Sequence, residues 1–250
     1  MQDKQSVYDK DGFFDLYQKL RSNPNSLNEI VEKPTMLGLV GDVSDKRILD
    51  LGCGCGEHLK LYLERGAAFA AGIDLSQAML QQAAKNLAEF RPHFLLEQAS
   101  MERLDQLNEG GFDLITSSFA FHYVQDFPAL LAKIYAKLKP NGQLVFSQEH
   151  PIVTCYQGGE RWEKDAQKRQ LAYRLNFYRD EGERQRNWFK QPFTTYHRTT
   201  ATIINNLISA GFHIEQMAEP MLADQPQWQD EFKDLQHRPV LLFVKARKNT

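Results

Sequence analysis

The stretch LDLGCGCGEH at residues 49–58, followed by GIDLS at residues 72–76, decides the reading of this chain. An apolar, β-favouring run from Arg47 to Leu51 leads into glycines at 52, 54 and 56, and then into a helix-forming segment from Glu57 to Arg65. Glycines at a strand-to-helix turn permit positive φ and let a ligand approach the backbone without meeting a Cβ. A second apolar run, Ala67 to Ile73, ends at Asp74. In a parallel sheet that carboxylate stands beside the glycine turn, on the carboxyl edge where ligands sit. A carboxylate there can accept two hydrogen bonds from the vicinal hydroxyls of a ribose.

A dinucleotide fingerprint would place its third glycine at position 57, where this chain has Glu57. A nucleotide-dependent oxidoreductase is therefore the weakest function considered. With Asp50, Gly52, Gly54 and Gly56 closing the first strand and Asp74 closing the second, residues 47–148 resemble the core of class I S-adenosylmethionine-dependent methyltransferases of the bacterial small-molecule, methyltransferase-11-like type. The resemblance implies an α/β fold: a Rossmann-like, doubly wound, seven-stranded sheet, mostly parallel with one antiparallel strand, plus an inserted cap. It implies S-adenosylmethionine as cofactor and S-adenosylhomocysteine as product. It also places Asp50 and the loop of Gly52, Cys53, Gly54, Gly56 and His58 around the amino acid portion of the cofactor, with Asp74 on the ribose. Leu75 and Met79 fall near the adenine, with ordinary burial the competing account for Met79. Ser100 stands where the family often has Asp, and Met101 offers its N–H to the ring.

Composition narrows the function classes. Hydrophobic content of 42% and charged content of 25% are those of an ordinary folded domain. With 30 Lys and Arg against 32 Asp and Glu, the net charge of −2 gives no broad attraction for a phosphate backbone, so nucleic acid is not an expected partner. No apolar run reaches the roughly 18 residues of a membrane span, and MQDKQSVYDKDGFF at the start lacks the apolar stretch of a signal peptide. A cytoplasmic location without membrane attachment is expected. Cys53, Cys55 and His58 mimic a metal clip, but no second ligand pair follows and no metal site is expected.

The chain reads as one methyltransferase domain over 1–250: a helical segment (1–46), the cofactor core (47–148), a substrate cap (149–196), and a closing helix and strands (197–250). Phe13, Phe14, Tyr17 and Leu20 stand at helical spacing, as do Leu27, Ile30 and Val31. They predict helices packed on the core, and the resemblance lets Tyr17 and Arg21 touch ligand. Within the core, Ser76 caps a helix predicted over Gln77–Phe90, and strands are predicted at His93–Glu97, Phe112–Ser117 and Gln143–Gln148. Pro128–Leu138 reads as a helix with Leu130, Leu131, Ile134 and Leu138 inward. Aromatic residues scattered among charges over 152–195 predict a structured cap rather than a plain loop. Thereafter a helix with Ile203, Ile204, Leu207 and Ile208 buried precedes strands at His213–Met217 and Pro239–Val244.

For the acceptor, the resemblance brings Ser117, Ser118 and Phe119 to the site and gives His122 a structural or substrate-side place. Methyl transfer needs alignment above all, and proximity alone is worth about 7–11 kcal/mol. If a base assists, His150 is the leading candidate and His197 the second. Tyr196 and Arg198 accompany His197, and Arg198 or Arg21 could meet a substrate carboxylate. The expected reaction is methylation of oxygen or nitrogen on a small molecule by a monomer or homodimer. No N/D-P-P-Y/F motif follows the fourth strand. A non-catalytic module that binds S-adenosylmethionine or S-adenosylhomocysteine is the main alternative.

Overall fold

Strands in the middle of a parallel sheet are buried on both faces, so their sequences read as continuous apolar runs rather than alternating ones. That is the pattern of β1, Arg47–Leu51, in which Ile48 to Leu51 are all buried. A computed structural model describes residues 9, 14, 18–19, 21–188, 191–221 and 232–250. The expectations for Phe13, Tyr17 and Leu20 lie outside these residues. A π-helical turn, Asn28–Glu32, runs straight into α1, Lys33–Val40. After β1 come α2 (Glu57–Glu64), β2 (Phe69–Asp74), α3 (Gln77–Asn86), β3 (Phe94–Gln98), β4 (Phe112–Ser117), α4 (Phe127–Lys137) and β5 (Leu138–Glu149). The cap segment comprises α5 (Pro151–Thr154) and two antiparallel hairpins, β6 (Trp162–Lys164) with β7 (Gln170–Tyr173), and β8 (Gly182–Trp188) with β9 (Gln191–His197). The chain continues with α6 (Thr200–Ser209), β10 (Phe212–Ala218) and β11 (Leu241–Lys248).

The main sheet has seven strands in the order β10-β11-β5-β4-β1-β2-β3. Only β11 runs against its neighbours, antiparallel to both β10 and β5. The order reverses between β1 and β4, and a ligand crevice belongs outside the carboxyl ends of the strands at that switch. Successive residues of β1 feed opposite faces: Leu49 and Leu51 join the core under α4 and α6, whereas Ile48 joins Met36, Leu39 and Tyr62. Among the described residues, no helix is long and apolar enough to cross a membrane.

Several boundaries differ from the sequence reading: β5 begins at Leu138, expected as the end of the preceding helix, rather than at Gln143. The helix predicted to Phe90 stops at Asn86, and a 3₁₀ turn takes Ala88–Phe90. The last strand begins at Leu241 rather than Pro239, which has no N–H to give a ladder, and it continues through charged residues to Lys248. Lys248 sustains that extension by donating to the carbonyls of Tyr135 and Leu138 at 2.7 and 2.8 Å. On α6, Ile203 and Leu207 are buried as expected, but Ile208 is 56% exposed.

Candidate functional site

The glycine turn is conformationally forced. Gly52, Gly54 and Gly56 adopt φ of 76°, 52° and 75°. A Cβ on Gly52 would stand 2.8 Å from Ala120 Cβ, whereas one on Gly54 would meet nothing within 4 Å. Backbone donors tie the turn to β2: Gly52 and Cys53 N–H donate to the Ile73 carbonyl at 2.8 and 3.0 Å, and Gly54 N–H donates to Asp74 Oδ2 at 2.9 Å. Asp74 Oδ1 accepts from Ser76 N–H at 2.8 Å. Burial pushes the Asp74 carboxyl above its ordinary pKa, although these two N–H groups oppose the rise.

A cavity of about 430 Å³ opens over the turn. Asp50, Gly52, Gly54 and His58 form its floor, Arg21 and Asn28 come from the amino-terminal segment, Gln82 and Asn86 from α3, and Ser118 and Phe119 follow β4. Asp50 is 2% exposed and accepts from Thr116 Oγ1 at 2.8 Å. Burial lifts its pKa to about 6. Beside it, His58 is buried with neither ring nitrogen in a well-aligned hydrogen bond. Its Nε2 lies 3.4 Å from Glu32 Oε2. Burial would lower the His58 pKa, but Glu32 outweighs burial and holds it above the ordinary value.

The sequence reading missed the lining residues Asn28, Gln82 and Asn86, and also Glu32, which stands behind His58 and Ser118. It is 1% exposed and its Oε1 accepts from the hydroxyls of Ser118 and Ser147, both at 2.6 Å. Burial raises the Glu32 pKa, yet His58 and the two hydroxyls bring it below the ordinary value. A signal was present: Glu32 stands four residues before Met36, at the spacing of the buried face of its helix. Asp9 was missed as well. It accepts from Ser76 Oγ at 2.5 Å and from Ala78 N–H at 3.2 Å, capping α3 beside Asp74.

Other expected site residues separate into two groups. Arg21 borders the cavity and donates to Glu57 at 2.6 Å. Leu75 is 38% exposed next to Asp74, Met101 packs under Gly52, and Ser100 caps the 3₁₀ turn after β3. Phe119 takes φ of 54° and donates its N–H to Ser147. The remainder are packed into the scaffold, which is among the expectations for Met79 and His122. Met79 is buried against Cys55. Ser117 is fully buried and donates to the Leu51 carbonyl at 2.8 Å, so its hydroxyl braces β1. His122 is buried and stacks on Tyr123, and burial lowers its pKa to about 4.

Neither candidate base has a free nitrogen. His150 accepts from Ile152 N–H with Nδ1 and meets Glu219 with Nε2 at 2.8 Å, and its backbone opens α5. His197 meets Thr154 Oγ1 with Nδ1 and the Tyr178 carbonyl with Nε2, at 2.8 and 2.9 Å. Both fasten the cap. Arg198 donates to the Val124 and Gln125 carbonyls and lies over the Phe127 ring, and burial lowers its pKa to about 10. Tyr196 stands on the opposite face of β9 from buried Thr195 and His197, paired with Glu183 in the ladder. Among the described residues, no group of three or more His, Cys, Asp or Glu is gathered as a metal ion would require.

A family model described as "Methyltransferase domain" matches residues 48–142. An uncharacterized protein of Haemophilus influenzae is 66% identical over 251 residues, 99% of each chain. A ubiquinone biosynthesis O-methyltransferase of Neisseria meningitidis is 36% identical over 112 residues, 42% of this chain and 45% of its own. A solved S-adenosylmethionine-dependent methyltransferase from Mesorhizobium loti has a TM-score of 0.77 and 33% identity, with 89% of this chain and 100% of that one covered. Identity sustained across an entire solved chain of the same topology places this protein in the class I S-adenosylmethionine-dependent methyltransferase family, with S-adenosylmethionine as its cofactor.

Proposed function

We propose that this protein moves the methyl group of S-adenosylmethionine to an oxygen or nitrogen of a small-molecule acceptor. The observation that carries the reading is a shared cavity: Gly52 and Gly54 of the cofactor turn form one wall, and Ser118 and Phe119 of the β4 end form another. The residues present suit the cofactor. Gly54 offers a backbone that no Cβ shields. Asp74 retains lone pairs beyond those used by Gly54 and Ser76, enough for ribose hydroxyls. Asp50, with its single described side-chain donor, and the unaligned His58 would face the polar amino acid end. Leu75 would cover the adenine from its exposed position.

When bound, the cofactor supplies a methyl group on a cationic sulfonium, which is already a good leaving group. The protein then has to align and desolvate the acceptor. With His150 and His197 both committed to the scaffold, the acceptor attacks by its own nucleophilicity, and no histidine base is assigned. Similarity to the Neisseria O-methyltransferase supports a small-molecule acceptor, but it covers under half of either chain and names no acceptor for this one.

A metabolite panel incubated with methyl-labelled S-adenosylmethionine tests the reading. The expected result is label transfer to oxygen or nitrogen of one chemical class, with stoichiometric S-adenosylhomocysteine release. Tight cofactor binding with no transfer to any metabolite would favour a binding module. Transfer to RNA or protein would overturn the small-molecule assignment.

A further inference from the structure

The cap and the segment that leads into β11 leave polar atoms of both signs buried and unmatched. Among the described residues, Arg238 Nε and Nη1, Arg186 Nη1 and Glu149 Oε2 find no hydrogen-bond partner. Buried polar groups are normally paired, so a cluster of exceptions calls for a ligand-sized explanation. These atoms also lie along one path. Phe119 on the cavity wall contacts the His122 ring at 6.4 Å, and the Glu149 N–H points to His122 Nδ1 at 3.5 Å. Arg186 Nη2 reaches Glu149 Oε1 at 3.4 Å. The charges of Arg186 and Arg238 both act on the Tyr173 hydroxyl.

Arg238 is held as a rigid donor. Its side chain is 10% exposed, one nitrogen is fixed by Asp234 at 3.0 Å, and its guanidinium lies 4.7 Å from the Tyr173 ring centre and 5.7 Å from that of Trp162. Trp162 and Tyr173 meet edge-on at 5.1 Å, and Tyr173 is anchored to the Ile152 carbonyl at 3.3 Å. Arg238 lies three residues before Leu241, which pairs with Glu149 across the sheet. The whole group therefore stands where the carboxyl end of β5 meets the amino end of the antiparallel β11, beside the end of β4 that borders the cavity.

We propose that Arg186 and Arg238 form the acceptor's anion subsite: the methyl acceptor carries an oxyanion that these two guanidiniums hold, and a hydroxyl or amino group that donates to Glu149 Oε2. Guanidinium nitrogens with open donors are suited to carboxylate and phosphate oxygens. Glu149 would repel an anion placed against it, so the oxyanion sits on the arginine side and the donor group on the carboxylate side. A ligand with both groups satisfies all four unmatched atoms, whereas a simple anion satisfies only three. This assignment rests on the methyl-transfer reading above and specifies the class of its acceptor.

The test uses the full chain saturated with S-adenosylhomocysteine. Probes are small hydroxy- and aminocarboxylates, the matching phosphate monoesters, and neutral methyl esters of the same carboxylates, each titrated by calorimetry. Carboxylates or phosphates should bind, whichever oxyanion the site takes, and their neutral esters should bind at least tenfold more weakly. Arg238→Met and Arg186→Met should each weaken that binding at least tenfold, with Arg238→Lys intermediate, while S-adenosylhomocysteine affinity stays within twofold. Thermal midpoints of the variants establish that each remains folded. Equal binding of anions and esters, no binding by any anion, or undiminished binding to folded Arg238→Met and Arg186→Met overturns the inference and leaves the methyl-transfer reading standing. Failure of S-adenosylhomocysteine itself to bind removes both.

Discussion

At Asp50, burial and the proposed cofactor contact pull stability and binding in opposite directions. Burial raises its pKa to about 6 from an ordinary 3.8, a difference worth about 3 kcal/mol at about 1.4 kcal/mol per unit. Because the folded form holds its proton more tightly, the contribution of this group to stability declines as pH rises from about 4 to about 6. Asp50→Asn should therefore raise the thermal midpoint of the unliganded protein at pH 7.5 while weakening S-adenosylhomocysteine at least tenfold. In the wild type, affinity should fall as pH drops through about 6, where the carboxylate is lost. The glycines make a paired prediction. Gly52→Ala meets Ala120 at positive φ and should cost about 2 kcal/mol or more in urea unfolding. Gly54→Ala meets no protein atom and should cost about 1 kcal/mol in stability but lose cofactor affinity, because its methyl group enters the cavity.

At the scale of elements, the amino-terminal helical segment is joined to the sheet by Glu32, which binds Ser118 after β4, Ser147 on β5 and His58 on α2. The histidine's raised pKa gives stability that is present below about 6.5 and lost as pH rises through the folded value. Glu32→Gln should bring the His58 pKa, followed by NMR, below the wild-type value, and Glu32→Ala should destabilise by about 3 kcal/mol or more. This junction shows where sequence reading ran out. Strand-turn-helix segments such as Arg47–Leu51 and Glu57–Glu64 were legible because apolar runs and glycines encode them locally. Glu32 was not, because its partners lie 26 to 115 positions away and its charge suggested exposure. For His150 and His197 the sequence showed the chemistry and not the surroundings: only tertiary contacts reveal that both nitrogens of each are engaged.

Across the molecule, sequence pattern specified the half that binds the cofactor far better than the half that receives the acceptor. The strands and helices of the sheet follow from periodicity and its one antiparallel strand from the family resemblance, whereas two hairpins built from polar, aromatic sequence carry little periodic signal. Three buried histidines in the cap and the turn after β4 contribute acid sensitivity. His122, His150 and His197 all have lowered pKa values, chiefly from burial. Each is held neutral in the fold but protonates near 6.5 when unfolded, so stability should decline as pH falls below about 6.5. His122, with a pKa of about 4, accounts for about 3 kcal/mol of that decline by pH 4. Urea unfolding across this range should therefore show a shallower acid slope in His122→Asn.

The most direct measurement is calorimetric titration of S-adenosylhomocysteine into the full chain and into Asp74→Ala. The cofactor assignment requires one site per chain, no competition by NAD, and at least a tenfold loss in the variant, since hydrogen bonds to a charged carboxylate are worth about 1.5–3 kcal/mol each. Equal affinity in the two proteins, or displacement of S-adenosylhomocysteine by NAD, would contradict it.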